Sequence, residues 1–379
     1  MCSMAIEICG AMMEQIKLTQ ICNPKQWKTI PTSELLKKGY PVYGANGIIG
    51  HYSEYNHEEP VIAITCRGAT CGTINITVPE AYVTGNAMCL DDVRPDIDIK
   101  YLYYCLLHYD FKNVISGSAQ PQITRQGLEK VVLSIGTLVE QKKITSILDK
   151  VKAIIDARQC ELNKYDNLIK ARFVEMFGNP VINDRGWQQI TLLESLEAGR
   201  TVTYGIVQTG EEFENGTPVF RPIDIAGGHV PNREELKKTD PLISAQYKRT
   251  LLKGNELLVT VRGSIGETFQ TTAEFKGCNV GRNIVPLVTD SNKVLQRFLQ
   301  ELFAQDAIKN WLKGITKGIA LQGLNMGEFK EMPVIMPPIA MQKAFVDFAS
   351  QVDKSKAVVQ KALDEAQLLF DSLMQQYFG

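Results

Sequence analysis

Residues 139–178 read VEQKKITSILDKVKAIIDARQCELNKYDNLIKARFVEMFG, with no Pro and no Gly before the last position. Apolar or long-stemmed side chains fall at Ile144, Leu148, Val151, Ile155, Arg158, Leu162, Tyr165, Ile169, Arg172 and Met176. Their spacing alternates four and three, the period of a helix whose buried face lies along another helix. At about 1.5 Å per residue, such a segment is a rod of about 60 Å.

A second stretch, residues 340–379 (AMQKAFVDFASQVDKSKAVVQKALDEAQLLFDSLMQQYFG), carries the same stripe. It runs through Phe345, Ala349, Val352, Lys356, Val359, Leu363, Ala366, Phe370, Leu373 and Tyr377, in phase with the first at an offset of 201. One amphipathic stripe is ordinarily covered by its own globule. Two of equal length and phase predict mutual pairing, as an antiparallel coiled coil, with Arg158, Arg172 and Lys356 reaching from the seam toward water or carboxylates.

Working outward from the stripes, the rest of the chain repeats too. Asn23-Pro24 with Trp27 and Ile30 is matched by Asn179-Pro180 with Trp187 and Ile190. Ile64-Thr65-Cys66-Arg67-Gly68-Ala69 is matched by Val259-Thr260-Val261-Arg262-Gly263-Ser264, each with a further Gly close behind, Gly72 and Gly266. Residues 123–142 align with 324–343, and both copies end on Phe-Gly. Ahead of each stripe the chain is rich in Gly, Pro, Asn and Thr, with short apolar runs at 61–65, 72–78, 256–261 and 283–288. These predict strands bounded by turns, with helices at Ile99–His108 and 294–312. The expected fold class is therefore α+β in two tandem repeats. The expected organisation is an N-terminal extension (1–22), a first globule (23–138), a first spacer helix (139–178), a second globule (179–338) and a second spacer helix (339–379).

Composition limits what the chain can do. At 379 residues, 44% hydrophobic and 22% charged, it is neither disordered nor collagenous and is too long for a disulfide mini-protein. With 41 Lys+Arg against 42 Asp+Glu, it is no basic nucleic-acid coat, although local basic grooves are compatible with that balance. Nine Cys is an odd number, with no CxxC pair and no His at metal-ligand spacing, which reads as reduced thiols in a cytoplasmic protein. The longest apolar runs are far shorter than the roughly 20 residues of a membrane span. The N-terminus carries Glu7 and no basic run, so no signal peptide is expected; Met4, Met12 and Met13 are alternative starts.

Enzyme chemistry finds no support. No Gly-Lys-Ser/Thr phosphate loop is present, and the turns at Asn23-Pro24 and Asn179-Pro180 lack the second Pro and the aromatic residue that amino methylation needs. Asp224 and Glu235 are the nearest approach to a metal-holding carboxylate pair, at a spacing common by chance in charged loops. His51, His57, His108 and His229 have no nucleophile at a recognisable distance. No catalytic, cofactor or metal-ligating residue is assigned.

Two α+β globules, each followed by a heptad helix opened by a Leu/Ile-x-x-Gln-Lys turn, together resemble the specificity (S) subunit of type I restriction-modification systems. The residues carrying the resemblance are 40–50 (YPVYGANGIIG), the Arg-Gly turns at Arg67 and Arg262, the globule endings 117–123 (GSAQPQI) and 318–324 (GIALQGL), and 337–342 (PPIAMQ). It spans the chain from about residue 14. A departure is Gly136-Thr137-Leu138, where the family usually has a Pro-Pro pair before the helix.

The resemblance implies a non-catalytic subunit whose two globules are target recognition domains, each reading one half of a bipartite sequence in double-stranded DNA. The paired helices would set the unread gap, to an outer limit of roughly 18 base pairs at about 3.4 Å each. It further implies docking of two adenine-methyltransferase (modification) subunits and, through them, two restriction subunits. S-adenosylmethionine, ATP and Mg would belong to those partners, and this chain would hold no cofactor. Other readings of the same repeats are a recombinable stand-alone specificity module serving phase variation, and a non-DNA coiled-coil scaffold with two α+β heads.

Base discrimination in the major groove calls for Arg or Lys toward guanine and Asn or Gln toward adenine, carried on turns. The candidate DNA-binding residues are Arg67, Asn86, Gln120, Gln122 and Arg125 in the first copy. Those of the second are Arg262, Arg282, Asn283, Lys317 and Gln322. Each could instead hold its own turn together by bonding local carbonyls. The first globule carries 9 basic and 11 acidic residues over 27–138, the second 17 and 17 over 187–338. A base reader whose partners neutralise the phosphates can be this close to neutral.

Overall fold

The structure is a computed structural model describing residues 13–117, 120–228, 231–318 and 322–379. The first twelve residues and His229 therefore lie outside the described residues. The chain divides into two units, one running to Gln159 and taking in Lys361–Gly379, the other comprising Cys160–Gln360. No helix among the described residues is long and apolar enough to cross a membrane.

In the first unit, strand Glu14–Lys17 pairs antiparallel with Val132–Ile135, and Leu18 and Ile21 behind it are fully buried. Residues 14–21, expected within an N-terminal extension, are thus part of the first core, because their apolar positions close the sheet edge beside Leu133. A four-stranded antiparallel sheet follows in the order Asn23–Lys25, Ala87–Asp91, Ile62–Thr65, Ile74–Ile76. A hairpin of Tyr40–Gly44 and Gly47–Tyr52 is extended by a parallel strand, Tyr82–Val83. Helix Ile99–His108 starts where the sequence predicts it, with Asp98 accepting from the Tyr101 amide. It packs Tyr101, Leu102 and Leu106 against the sheet.

The second unit repeats this plan. Gln189–Thr191 pairs with Pro333–Ile335, Leu257–Thr260 runs between Thr268–Gln270 and Ile284–Leu287, and Thr217–Phe220 takes a parallel neighbour at Asn279–Val280. The helix expected over 294–312 is two helices, Gln296–Ala304 and Asp306–Gly314. Gln305 between them is extended, and its side chain donates to the Glu301 carbonyl at 3.0 Å.

Two long helices span Leu138–Phe177 and Ile339–Phe378. Ile144, Leu148, Val151, Ile155, Leu162 and Ile169 are buried as the spacing predicts. Beyond Ile169 the buried residues are Phe173 and Phe177, with Arg172 and Met176 only half-buried. A strict heptad drifts by about 20° per repeat on a straight helix, and two successive steps of four bring the apolar side back onto the second core. There the rings of Phe173, Phe177, Phe298 and Phe345 pack with centroids 5.0–6.4 Å apart. In the first core Ile144 and Leu148 lie with Met374 and Tyr377.

The start of each long helix is tied to its globule by one buried glutamine. Gln141 accepts from the Asp98 amide at 2.7 Å and donates to the carbonyls of Asp96 (3.0 Å) and Gly136 (2.9 Å). Gln342 accepts from the Leu295 amide at 2.9 Å and donates to Lys293 (2.9 Å) and Pro337 (2.8 Å). Asp98 and Leu295 each precede a globule helix, so the same three bonds couple two helix starts in both copies. Where the first copy lacks the Pro-Pro pair, Thr137 and Glu140 form a reciprocal cap, the Glu140 carboxylate accepting from Thr137 N and Oγ1 at 2.8 Å. Those two bonds, the side-chain one first, hold the Glu140 carboxyl below the usual carboxylate range.

Candidate nucleic-acid interface

The Arg-Gly turns follow central strands that are buried on both faces. Alternation along the strand sends Cys66 and Val261 into the core and the next residue, Arg67 or Arg262, out to solvent. Gly68 and Gly263 then turn the chain with φ of +88° and +77°, and neither would bring a Cβ within 4 Å of any described residue. Conformation, not space, requires glycine there.

The residue before each Arg locks three distant segments together. Cys66 takes the Asn86 carbonyl on its amide at 3.1 Å, and its own carbonyl accepts from the Ile123 amide at 3.0 Å. Val261 repeats both bonds, with Asn283 at 2.8 Å and Leu324 at 3.0 Å. The bridges Arg67–Gln122 and Arg262–Gly323 lie alongside. Each unit therefore gathers its Arg turn, its Asn turn and its terminal loop into one surface patch. Candidates that the sequence spaced over 59 residues in one copy and 61 in the other become neighbours.

In the first patch Arg67, Gln120, Gln122 and Arg125 are exposed and Asn86 is half-buried. Residues 118–119 of that loop lie outside the described residues. A groove of about 250 Å³ is lined by Arg67, Gln122, Thr124 and Arg125 and by two residues from the edge strand and its end, Lys25 and Gln26. Among the described residues that line it are three cations and no carboxylate. Lys25 and Gln26 are not among the residues the sequence marks as candidates; their only sequence signal is a Lys and a Gln directly ahead of a repeated Trp. Gln26 donates to Cys66 Sγ and to the Gly85 carbonyl, both at 2.9 Å, and Lys25 Nζ stands 3.8 Å over the Trp27 ring.

The second patch differs in detail. Arg262, Arg282, Lys317 and Gln322 are exposed, while Asn283 is half-buried with its Oδ1 enclosed and unpartnered among the described residues. A Cβ on Gly323 would meet Arg262 Cγ at 3.0 Å and Nε at 3.1 Å, so Arg262 lies across that glycine. In the first copy Gln122 occupies the matching position. Lys317 is paired with Glu328 at 2.9 Å, which also accepts from Asn325. Residues 319–321 lie outside the described residues.

Asp224 and Glu235 do not form a carboxylate pair. Asp224 accepts from the amide and guanidinium of Arg221, and Glu235 from Asn232.

The profile of one protein family, described as the type I restriction modification DNA specificity domain, matches residues 12–164 and again 186–367. Among similar proteins is the type I restriction enzyme EcoBI specificity subunit of Escherichia coli, 22% identical over 366 residues, covering 90% of this chain and 73% of that one. A putative type I restriction enzyme specificity subunit of Haemophilus influenzae is 22% identical over 97% of this chain and 94% of its own. Among solved structures, the type I restriction-modification S subunit from M. genitalium superposes with a TM-score of 0.52 at 15% identity. That match covers 97% of this chain and 96% of the other.

Proposed function

Because the chain belongs to the type I restriction-modification DNA specificity family, we propose that each unit reads one half of a bipartite DNA target through its Arg-turn patch. The observation that carries this reading is the duplication itself: Arg turn, Asn turn and terminal loop are drawn together by the same backbone bonds in both units. Two similar readers on one chain suit a target with two unlike halves.

In the first patch Arg67, Arg125 and Lys25 would supply cations toward guanine edges and phosphates, and Gln120, Gln122, Gln26 and Asn86 the amides toward adenine. In the second, Arg262 and Arg282 would take the cationic role and Asn283 and Gln322 the amide role. Lys317 enters such an interface only by exchanging Glu328 for phosphate.

The long helices would pair as an antiparallel coiled coil and serve as the spacer between half-sites. Supporting this, the first core combines the start of one helix with the end of the other. The second core does the same with the opposite ends, and Lys356 bonds Asp166 across the seam. Methyltransferase subunits, and through them restriction subunits, would dock on this chain and bring S-adenosylmethionine, ATP and Mg; this chain chooses the sequence and performs no chemistry.

Co-expression with modification subunits, followed by mapping of methyladenine in host DNA, tests the reading. Two half-sites at a fixed gap are expected, and methylation at one continuous site would contradict it. In the same assay Arg67→Ala is expected to relax one half-site and Arg262→Ala the other. Each should lose about 1–3 kcal/mol of base discrimination, roughly 5- to 150-fold in site preference. Equal loss at both halves from either variant would sink the assignment of one patch to one half-site.

A further inference from the structure

Three donor atoms from two segments far apart in sequence converge at the end of the first unit's sheet. His57 Nε2, the Cys89 thiol and an Asp91 carboxylate oxygen all lie within 4.8 Å of one another. Cys89 and Asp91 stand two apart on strand Ala87–Asp91 and so share a face. Cys89 is fully buried, and the His57 and Asp91 side chains are only 10% and 12% exposed.

The neighbours of His57 fix which nitrogen carries its proton. Asn56 is pinned by a two-point pairing with Val83, its Nδ2 donating to the carbonyl at 3.0 Å and its Oδ1 accepting from the amide at 2.8 Å. That sets the amide orientation, and the same Oδ1 stands 2.7 Å from His57 Nδ1. An amide oxygen only accepts, so Nδ1 is the donor. In a neutral ring Nε2 then presents a lone pair, 3.0 Å from Asp91 Oδ1. Two lone pairs at that distance repel unless a positive charge, a proton or a metal ion, lies between them. Trp27 Nε1 meanwhile holds the other oxygen, Asp91 Oδ2, at 3.1 Å.

The geometry points to a divalent transition-metal site in the first unit, with His57 Nε2, Cys89 Sγ and Asp91 Oδ1 as protein ligands and solvent as the fourth. One nitrogen, one sulfur and one oxygen suit zinc, where magnesium or calcium would call for oxygen alone. The outer contacts are those that metal-bound groups make, an imidazole donating its second N–H to a fixed acceptor and a carboxylate held by its free oxygen. Tetrahedral zinc, with bonds of about 2.0–2.3 Å, places its donor atoms roughly 3.2–3.8 Å apart. The nitrogen and oxygen, 3.0 Å apart, stand slightly inside that range, and the thiol lies within 4.8 Å of both. A surface cavity of about 390 Å³, lined by Trp27, His57, Glu58, Glu59 and Asp91, provides the entry path and the solvent ligand.

Coordination turns the Cys89 thiol into a thiolate, its proton passing to solvent. The ion would clamp the turn carrying His57 onto the strand that begins next to Asn86.

The test is a cobalt(II) titration of the full-length chain after chelator treatment. One equivalent should produce visible d–d bands and a near-ultraviolet thiolate-to-cobalt charge-transfer band, both displaced by zinc. Cys89→Ala should abolish the charge-transfer band, Cys160→Ala, at an exposed thiol, should leave it intact, and His57→Ala should weaken cobalt binding by about tenfold or more. Absence of the band in the unaltered chain would mean that a proton alone holds His57 to Asp91 and would overturn the proposal, as would a band that survives Cys89→Ala. Should Cys89→Ala fail to fold, His57→Ala decides alone, unchanged cobalt affinity being the overturning result.

Discussion

Phe345→Ala is expected to lower the stability of the second unit by about 3–5 kcal/mol, the range for truncating a fully enclosed aromatic ring. The ring has no exposed surface and meets the edges of Phe173 at 5.5 Å and Phe177 at 5.6 Å. Both neighbours also pack against Phe298, which limits how far they can collapse into the space. Trp187, whose ring lies 6.5 Å from that of Phe177, reports on the transition in urea. The same truncation at Val358, which is 70% exposed on the same helix, should change stability by less than about 0.5 kcal/mol. A loss below about 1 kcal/mol for Phe345→Ala would mean that the long helix is not part of the second core.

Gln342→Leu should cost about 2–4 kcal/mol while preserving volume, because it leaves the Leu295 amide and the Lys293 and Pro337 carbonyls without their partner. Gln342→Glu discriminates between shape and bonding. The carboxylate keeps the bond from Leu295 but faces two carbonyls with no hydrogen to give, and it should be at least as damaging as Leu. Gln141→Leu should act equally on the first unit through Asp96, Asp98 and Gly136. Denaturation of each variant, followed by circular dichroism, measures both. Near-native stability for Gln342→Leu would show that the joint is held by the apolar seam alone.

The Gln-Lys pair was visible as a repeated dipeptide opening each stripe, but its purpose was not. Two of the three partners of Gln141, at Asp96 and Asp98, lie some 45 residues back in sequence, and all three are backbone groups, which carry no residue signature. The stripes themselves were legible up to Ile169, since a long helix writes its buried face at a fixed local period. From there the face is set by Phe298 and Phe345, and local spacing could not anticipate the shift to Phe173 and Phe177. Arg67 and Arg262 stood out because only a turn needs Arg-Gly after an apolar strand. Lys25 and Gln26 did not, because what places them beside Arg67 is sheet order, and the edge position of Asn23–Lys25 is a long-range fact. The trio of His57, Cys89 and Asp91 is hidden for the same reason: Cys89 and Asp91 share a strand, but only the fold brings His57 to them. Residues 14–21 fall within the expected N-terminal extension because a strand of four residues has too little alternation to declare itself.

The second unit is one continuous stretch of chain, whereas the first needs Lys361–Gly379 to seat Met374 and Tyr377 beside Ile144 and Leu148. On the ribosome the order of completion is therefore reversed. The unit translated later can close its core first, and the one translated earlier waits with an open hydrophobic face until the last turns of the final helix emerge.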